Sequence, residues 1–254
     1  MQPDLLIAIA LIFFVSAAVY TFSGFGYSLI AIPLLTMILP PRIAVPLNIF
    51  LGIFLSAWLI YATRGDVNFK NIGYLLLGMV PGVPFGSFLL ANVHSQIIIL
   101  TANGLVVFSL ILFAVQNRSM QRVVSSRLTD GVAGFLSGFL GSGCGIAGPP
   151  VILLGIVKHW DKREFRANLI WYFALWGVYA FANFFAIGLL DNQAFLKLFV
   201  FGITGLALGI VAGSKLNRIV PQKLFSRICT ILILLFALLS AGKTAFTITF
   251  AYGG

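Results

Sequence analysis

The sequence predicts an all-α protein, a polytopic transmembrane helical bundle with two inverted repeats, each starting with a broken-helix hairpin. Three observations carry that prediction. The 254 residues are 60% hydrophobic and only 9% charged, whereas a soluble domain carries about 25% charged residues, so most of the exterior has to face lipid. Two apolar stretches are much longer than one crossing, and each is interrupted by glycine and proline. Finally, the basic residues segregate to one side only if those two stretches turn back.

Apolar stretches fall at about 5–39, 43–62, 71–91, 95–115, 128–157, 167–190, 195–214 and 224–250. Most approach the roughly 20 residues that span a 30 Å hydrocarbon core. The stretch 5–39 would make a helix of about 52 Å and 128–157 one of about 45 Å, too long for one straight crossing. The first is broken at "SGFGYSLIAIP" (Ser23 to Pro33) and the second at "SGFLGSGCGIAGPP" (Ser137 to Pro150). Glycine permits a tight reversal and proline interrupts the helical ladder, so each stretch reads as a hairpin with both arms on one side.

With both hairpins returning and the other six stretches crossing once, thirteen of the sixteen Lys and Arg share one face: Arg64, Lys70, Arg118, Arg122, Arg127, Lys158, Lys162, Arg163, Arg166, Lys215, Arg218, Lys223 and Arg227. Arg42, Lys197 and Lys243 are left for the other. Single crossings throughout would give nine against seven. The positive-inside rule selects the hairpins, puts the thirteen in the cytoplasm and leaves both termini outside a bacterial cytoplasmic membrane. Asp4 and the absence of an early Lys or Arg argue against a cleaved signal peptide.

A hairpin plus three crossings is an odd number of spans, so the second half starts from the opposite face. The chain reads as a single integral membrane domain over 1–254: repeat 1 at about 1–115, a basic cytoplasmic linker at about 116–127, and repeat 2 at about 128–254. Gly24-Phe25-Gly26 matches Gly141-Ser142-Gly143 at an offset of 117, which also takes Pro33 to Pro150. Beyond a small insertion, Arg42-Ile43-Ala44 resembles Glu164 to Ala167, and Asn48 falls near Trp171.

Non-helical backbone is not tolerated against hydrocarbon, so both Gly-rich breaks must be buried in protein or line a watery cavity. A helix restarting after such a break presents unpaired amides and the positive end of its dipole, which suits an anion. Gly24, Gly26, Tyr27 and Ser28 in the first break, and Gly141, Ser142, Gly143, Cys144 and Gly145 in the second, are the candidate substrate-binding residues. The competing reading of these glycines is close helix packing. Arg166, opening "FRANLIWYF", either grips an anion by forked hydrogen bonds or sets orientation. Cys144 is read foremost as a packing residue.

Other features are bland. Asn48 and Asn168 read as interhelical hydrogen-bonding amides, and the four tryptophans include interface anchors. Cys144 and Cys229 fit no zinc spacing, His94 and His159 fall in loops, and no acid sits in mid-crossing, so no metal, cofactor, proton relay or enzymatic constellation is expected. The formal charge of +10 reflects loop bases near lipid headgroups rather than nucleic-acid binding. The partners expected are a small anionic substrate and membrane lipid, and a homo-oligomer is compatible with such a surface.

"SGFGYSLIAIPLLTMILPPRIAVPLN" and "GFLSGFLGSGCGIAGPPVILLGIVK…FRANL" resemble the two repeat signatures of the sulfite exporter TauE/SafE family of membrane permeases. The resemblance runs nearly the length of the chain. It implies a secondary transporter moving sulfite or an organosulfonate by alternating access, with an anion channel of the same architecture or a carrier of another small organic anion as alternatives. Its signatures fall on Gly24, Gly26 and Pro33, and on Gly141, Gly143, Gly145 and Pro150. Gly143-Cys144-Gly145 replaces a glycine run, and Tyr27-Ser28 is a second departure; both place side chains where backbone would otherwise approach a ligand.

Overall fold

The structure is a computed structural model that describes residues 3–23, 26–115, 126–190, 193–219 and 242. Gly24, Cys229, Lys243, most of the linker and the last apolar stretch lie outside the described residues. The described elements are all α-helices: α1 (Pro3–Ser23), α2 (Tyr27–Ile38), α3 (Pro41–Thr63), α4 (Phe69–Asn92), α5 (Ser95–Val115), α6 (Arg127–Cys144), α7 (Gly148–Val157), α8 (Lys162–Ala186) and α9 (Gln193–Ile219). In hydrocarbon a helix satisfies every backbone group internally, which is why apolar runs of this kind become helices. Among the described residues, α1, α3, α4, α8 and α9 contain segments long and apolar enough to cross a membrane.

Both long stretches fold as hairpins. In the second, Ser137 Oγ of α6 donates to the Ala147 carbonyl at 2.6 Å, so the chain has already turned back along α6 before α7 begins. At the far end, Lys158 caps α7 and its Nζ meets Asp130 Oδ2 of the first α6 turn at 2.6 Å. In the first, the Tyr27 ring at the start of α2 lies 6.2 Å from both Phe13 and Tyr20 of α1. Ala31, Leu35 and Leu39 then share a buried cluster with Ile9, Phe13 and Ala17. Gly26 (φ 94°) and Gly145 (φ 78°) make the turns in the left-handed region that suits glycine. The returning arms, 12 residues in α2 and 10 in α7, reach about 18 and 15 Å, roughly half a bilayer core.

The first break falls on its glycine cluster, between Ser23 and Tyr27, but the second comes later than its cluster indicates. Gly141 to Cys144 are still helical in α6, and Pro33 lies inside α2. This corrects the repeat register. Ser23 and Cys144 end the first arms, Tyr27 and Gly148 begin the second, and Pro41 and Lys162 begin the next helices; each pair is 121 residues apart, not 117. The difference of four is about one helical turn, because a glycine match inside a helix slides by a turn without changing face.

Two glycine ladders join the halves. Gly78, Gly82 and Gly86 of α4 lie against the backbone of Gly131, Phe135 and Phe139 of α6, so closely that a Cβ would overlap those carbonyls. Gly205, Gly209 and Gly213 of α9 lie in the same way against Ala10, Phe14 and Ala18 of α1. Numbers rise together in both, so each pair is parallel. α4·α6 and α1·α9 make the most extensive helix contacts, with α3·α8 between them. Exchanging the halves turns α4·α6 into α1·α9 and leaves α3·α8 as itself, an arrangement consistent with inverted repeats.

The ends sort by charge. Asn68 N donates to Asn168 Oδ1 at 2.9 Å, Asn71 Nδ2 donates to Glu164 Oε1, and the Arg127 guanidinium lies 5.5 Å from the Tyr74 ring centroid. These contacts gather Arg64, Lys70, Arg127, Lys158, Arg163 and Arg166 at one end. Arg42 lies at the other, its Nε donating to the Leu90 carbonyl at 3.4 Å.

Candidate functional site

The two returning arms start at one cavity. Its wall holds Gly26, Tyr27, Ser28 and Leu29 from the start of α2, and Ile146, Ala147, Gly148 and Ile152 from the turn into α7. Tyr20 of α1, Asn48, Ile49, Gly52, Leu55 and Ser56 of α3, Ser109 of α5, and Phe173 and Trp176 of α8 complete it. The enclosed space is about 80 Å³, room for roughly five water-sized groups at about 15 Å³ each.

Donors converge on this space. The first amides of α2 have no intrahelical acceptor, since the ladder opens with Ile30 N donating to Gly26 O at 3.2 Å. Their helix dipole points its positive end at the cavity. α7 contributes less, because Pro149 and Pro150 follow Gly148 and have no N–H. Trp176 Nε1 is buried with no hydrogen-bond partner among the described residues, and such a donor is costly to leave unpaired. Side-chain hydroxyls are held in place: Asn48 Nδ2 donates to Ser28 Oγ at 2.9 Å, Tyr27 Oη donates to the Asn48 carbonyl at 3.1 Å, and Tyr20 and Ser56 share a hydrogen bond. Among the described residues, no Asp, Glu, Lys, Arg or His lines the cavity. The arrangement offers neutral donors and apolar walls, a combination that desolvates a small anion while replacing its hydration with fixed dipoles.

Of the residues read from the sequence, Gly26, Tyr27 and Ser28 line the cavity, while the second cluster stands behind the wall. Gly141 lies directly under the Trp176 indole and Ala147, so its missing side chain is what lets the indole sit there. Ser142 is fully buried, its Oγ without a partner among the described residues. Gly143 faces Leu89 and Gly86 of α4, and Cys144 is packed in the main apolar cluster. Gly145 makes the turn beneath Ile32 and Val45. Arg166 lies in the first two turns of α8, outside the cavity wall. Its Nε is buried without a partner among the described residues.

Sequence reading missed Trp176, Tyr20, Ser56 and Ser109 as wall residues. Trp58 is 65% exposed, as an interface anchor should be, but Trp176 is 6% exposed. Its position midway along α8 was the available signal, since interface tryptophans belong near helix ends. Asn48 serves both readings: it bonds another helix and faces the cavity.

Residues 8–240 match the family model described as Sulfite exporter TauE/SafE. No curated protein and no solved structure matches the chain. Because the matched residues run through both hairpins and every described wall of the cavity, the chain belongs to the sulfite exporter TauE/SafE family, whose members are membrane transporters rather than enzymes.

Proposed function

We propose that the protein is a secondary carrier that binds one small sulfur oxyanion, sulfite or an organosulfonate, between the starts of α2 and α7. The observation that supports the reading is the cavity's place at the start of α2, where the helix's positive end meets a wall that includes Trp176, whose Nε1 is buried without a hydrogen-bond partner among the described residues. An oxyanion with three equivalent oxygens accepts from amides, indole and hydroxyl at once. The apolar remainder of the wall, including Leu29, Ile49, Ile152 and Phe173, favours an organosulfonate with a short carbon body over bare sulfite. Gly26, Tyr27 and Ser28 hold the anion directly, Gly141 and Gly145 shape the wall, and Arg166 attracts the anion from the basic end.

In this reading the basic end faces the cytoplasm of a bacterium and both termini lie outside. Alternating access follows from rocking of one hairpin against the other, since each returning arm starts at the cavity and each is anchored to its own long arm. The test is direct. Purified protein in detergent is warmed with sulfite, methanesulfonate, taurine, thiosulfate and acetate, and uptake of the stabilising anion into proteoliposomes is then followed. A sulfonate or sulfite should raise the unfolding temperature and show saturable flux. Stabilisation by acetate alone would replace the substrate class, and flux that never saturates would replace the carrier with a channel.

A further inference from the structure

A second cavity opens on the outside of the bundle, in a groove between α4 and α8 whose wall includes Lys70, Gly73, Tyr74, Leu77, Leu175 and Tyr179. We propose that this groove binds one acyl chain of an anionic phospholipid, whose headgroup phosphate is held between Lys70 and Arg127.

Both walls belong to helices long and apolar enough to cross a membrane, so the groove opens toward hydrocarbon. Leu77 and Leu175 are exposed there. From Lys70 to Val80 the α4 wall rises about 15 Å, half of a roughly 30 Å core, which is the depth of one leaflet. The groove is closed at that depth: Tyr179 Oη donates to the Val80 carbonyl at 3.1 Å. That carbonyl is free to accept because the residue one turn on, Pro84, has no N–H to offer it. The other end is basic. Lys70 is exposed beside Tyr74, and the Arg127 guanidinium lies 5.5 Å from the Tyr74 ring centroid, so two cations flank the groove's mouth. Of the carboxylates at this end, Glu164 is engaged by Asn71, Asp130 by Lys158 and Asp161 by the first amides of α8, while Asp66 is exposed in the loop before α4. Gly73 leaves the floor open, with nothing within 4 Å of where a Cβ would stand. A second copy of the chain, docked here by two-fold symmetry, would bring its own two cations against these, so an anionic lipid is the better occupant.

The experiment uses the full chain in nanodiscs of mixed phosphatidylglycerol and phosphatidylcholine, released for native mass spectrometry. The wild type should retain one phosphatidylglycerol in preference to phosphatidylcholine. Joint substitution of Lys70→Gln and Arg127→Gln should cut that preference by about fivefold per cation removed. Gly73→Leu, which fills the groove from a position where a Cβ meets nothing within 4 Å, should remove retention of both lipids at little change in thermal stability. Retention that survives in both variants overturns the proposal. So does an unchanged preference in the joint charge variant while Gly73→Leu alone acts, which would leave a chain slot with no headgroup recognition. A dimer peak that Gly73→Leu abolishes while lipid stays bound would assign the groove to a second copy and overturn it as well.

Discussion

Lys158 Nζ lies 2.6 Å from Asp130 Oδ2, joining the C-cap of the returning arm α7 to the first turn of α6. Both side chains are largely buried, with exposures of 11% and 7%. The pair closes the second hairpin at its base, at the opposite end from the turn that lines the cavity.

Breaking this pair should therefore cost more than a surface ion pair. Asp130→Asn leaves a buried ammonium uncompensated, and about 3 kcal/mol of stability should be lost. The reversed pair, Asp130→Lys with Lys158→Asp, should recover much of it. Thermal unfolding in detergent reads both. Equal stability of Asp130→Asn and wild type would show that the hairpin base is held by packing alone.

The glycine ladders lead to a second expectation. At Gly82 a Cβ would overlap the Phe135 carbonyl, and at Gly209 the Phe14 carbonyl. Backbone yields less readily than a flexible side chain, so Gly82→Leu and Gly209→Leu should each cost about 3 kcal/mol, the upper end for overpacking. The two variants should behave alike, since they occupy the same rung of the two ladders. Gly73→Ala, with open space around it, should hold or slightly raise stability by helix propensity. Size-exclusion profiles and unfolding temperatures of the three variants check the ordering.

Much of this was legible beforehand because composition and charge obey coarse physics. The lengths of the stretches at 5–39 and 128–157 and the distribution of sixteen cations required hairpins, and Lys158 meeting Asp130 is a hairpin base. The register was not legible. Glycine both ends helices and lets helices touch, and the sequence of "GFLGSGCG" does not separate the two. Gly141 and Gly143 turned out to serve contacts with Trp176 and with α4, while the turn fell to Gly145. The cavity wall was half legible for a related reason. Helix-start amides follow from where a helix begins, so Gly26 to Ser28 were found. Trp176 and Tyr20 reach the cavity from other elements through tertiary packing, which no local pattern encodes.

Trp176 provides the third prediction. Trp176→Phe keeps an aromatic ring over Gly141 and removes the Nε1 donor. A hydrogen bond to a charged group contributes about 1.5–3 kcal/mol, so anion affinity should fall about tenfold or more. Stability should fall by about 1–3 kcal/mol, as expected for a large-to-small core exchange, and the protein should still fold. Isothermal titration of the anion that stabilises the wild type measures the first, and thermal unfolding the second. Unchanged affinity would remove the indole from the binding site.

Asn48→Asp is the most discriminating change. The side chain keeps its shape, and the Tyr27 hydroxyl still finds the residue-48 carbonyl, because that contact is to the backbone. What changes is the sign of the cavity: the Nδ2 donor to Ser28 Oγ is replaced by an ionised oxygen. At an effective dielectric of about 20, two like charges about 4 Å apart repel by about 4 kcal/mol, roughly a thousandfold in affinity. The new carboxyl carries its own control. Acidification that protonates it abolishes the repulsion, so binding by Asn48→Asp should strengthen as pH falls, whereas Asn48→Leu should lose a donor and gain no such pH dependence. Flux measured across a pH series in both variants separates charge from shape, and an Asn48→Asp protein that binds its anion as tightly as the wild type at neutral pH would mean that the anion does not lie in this cavity.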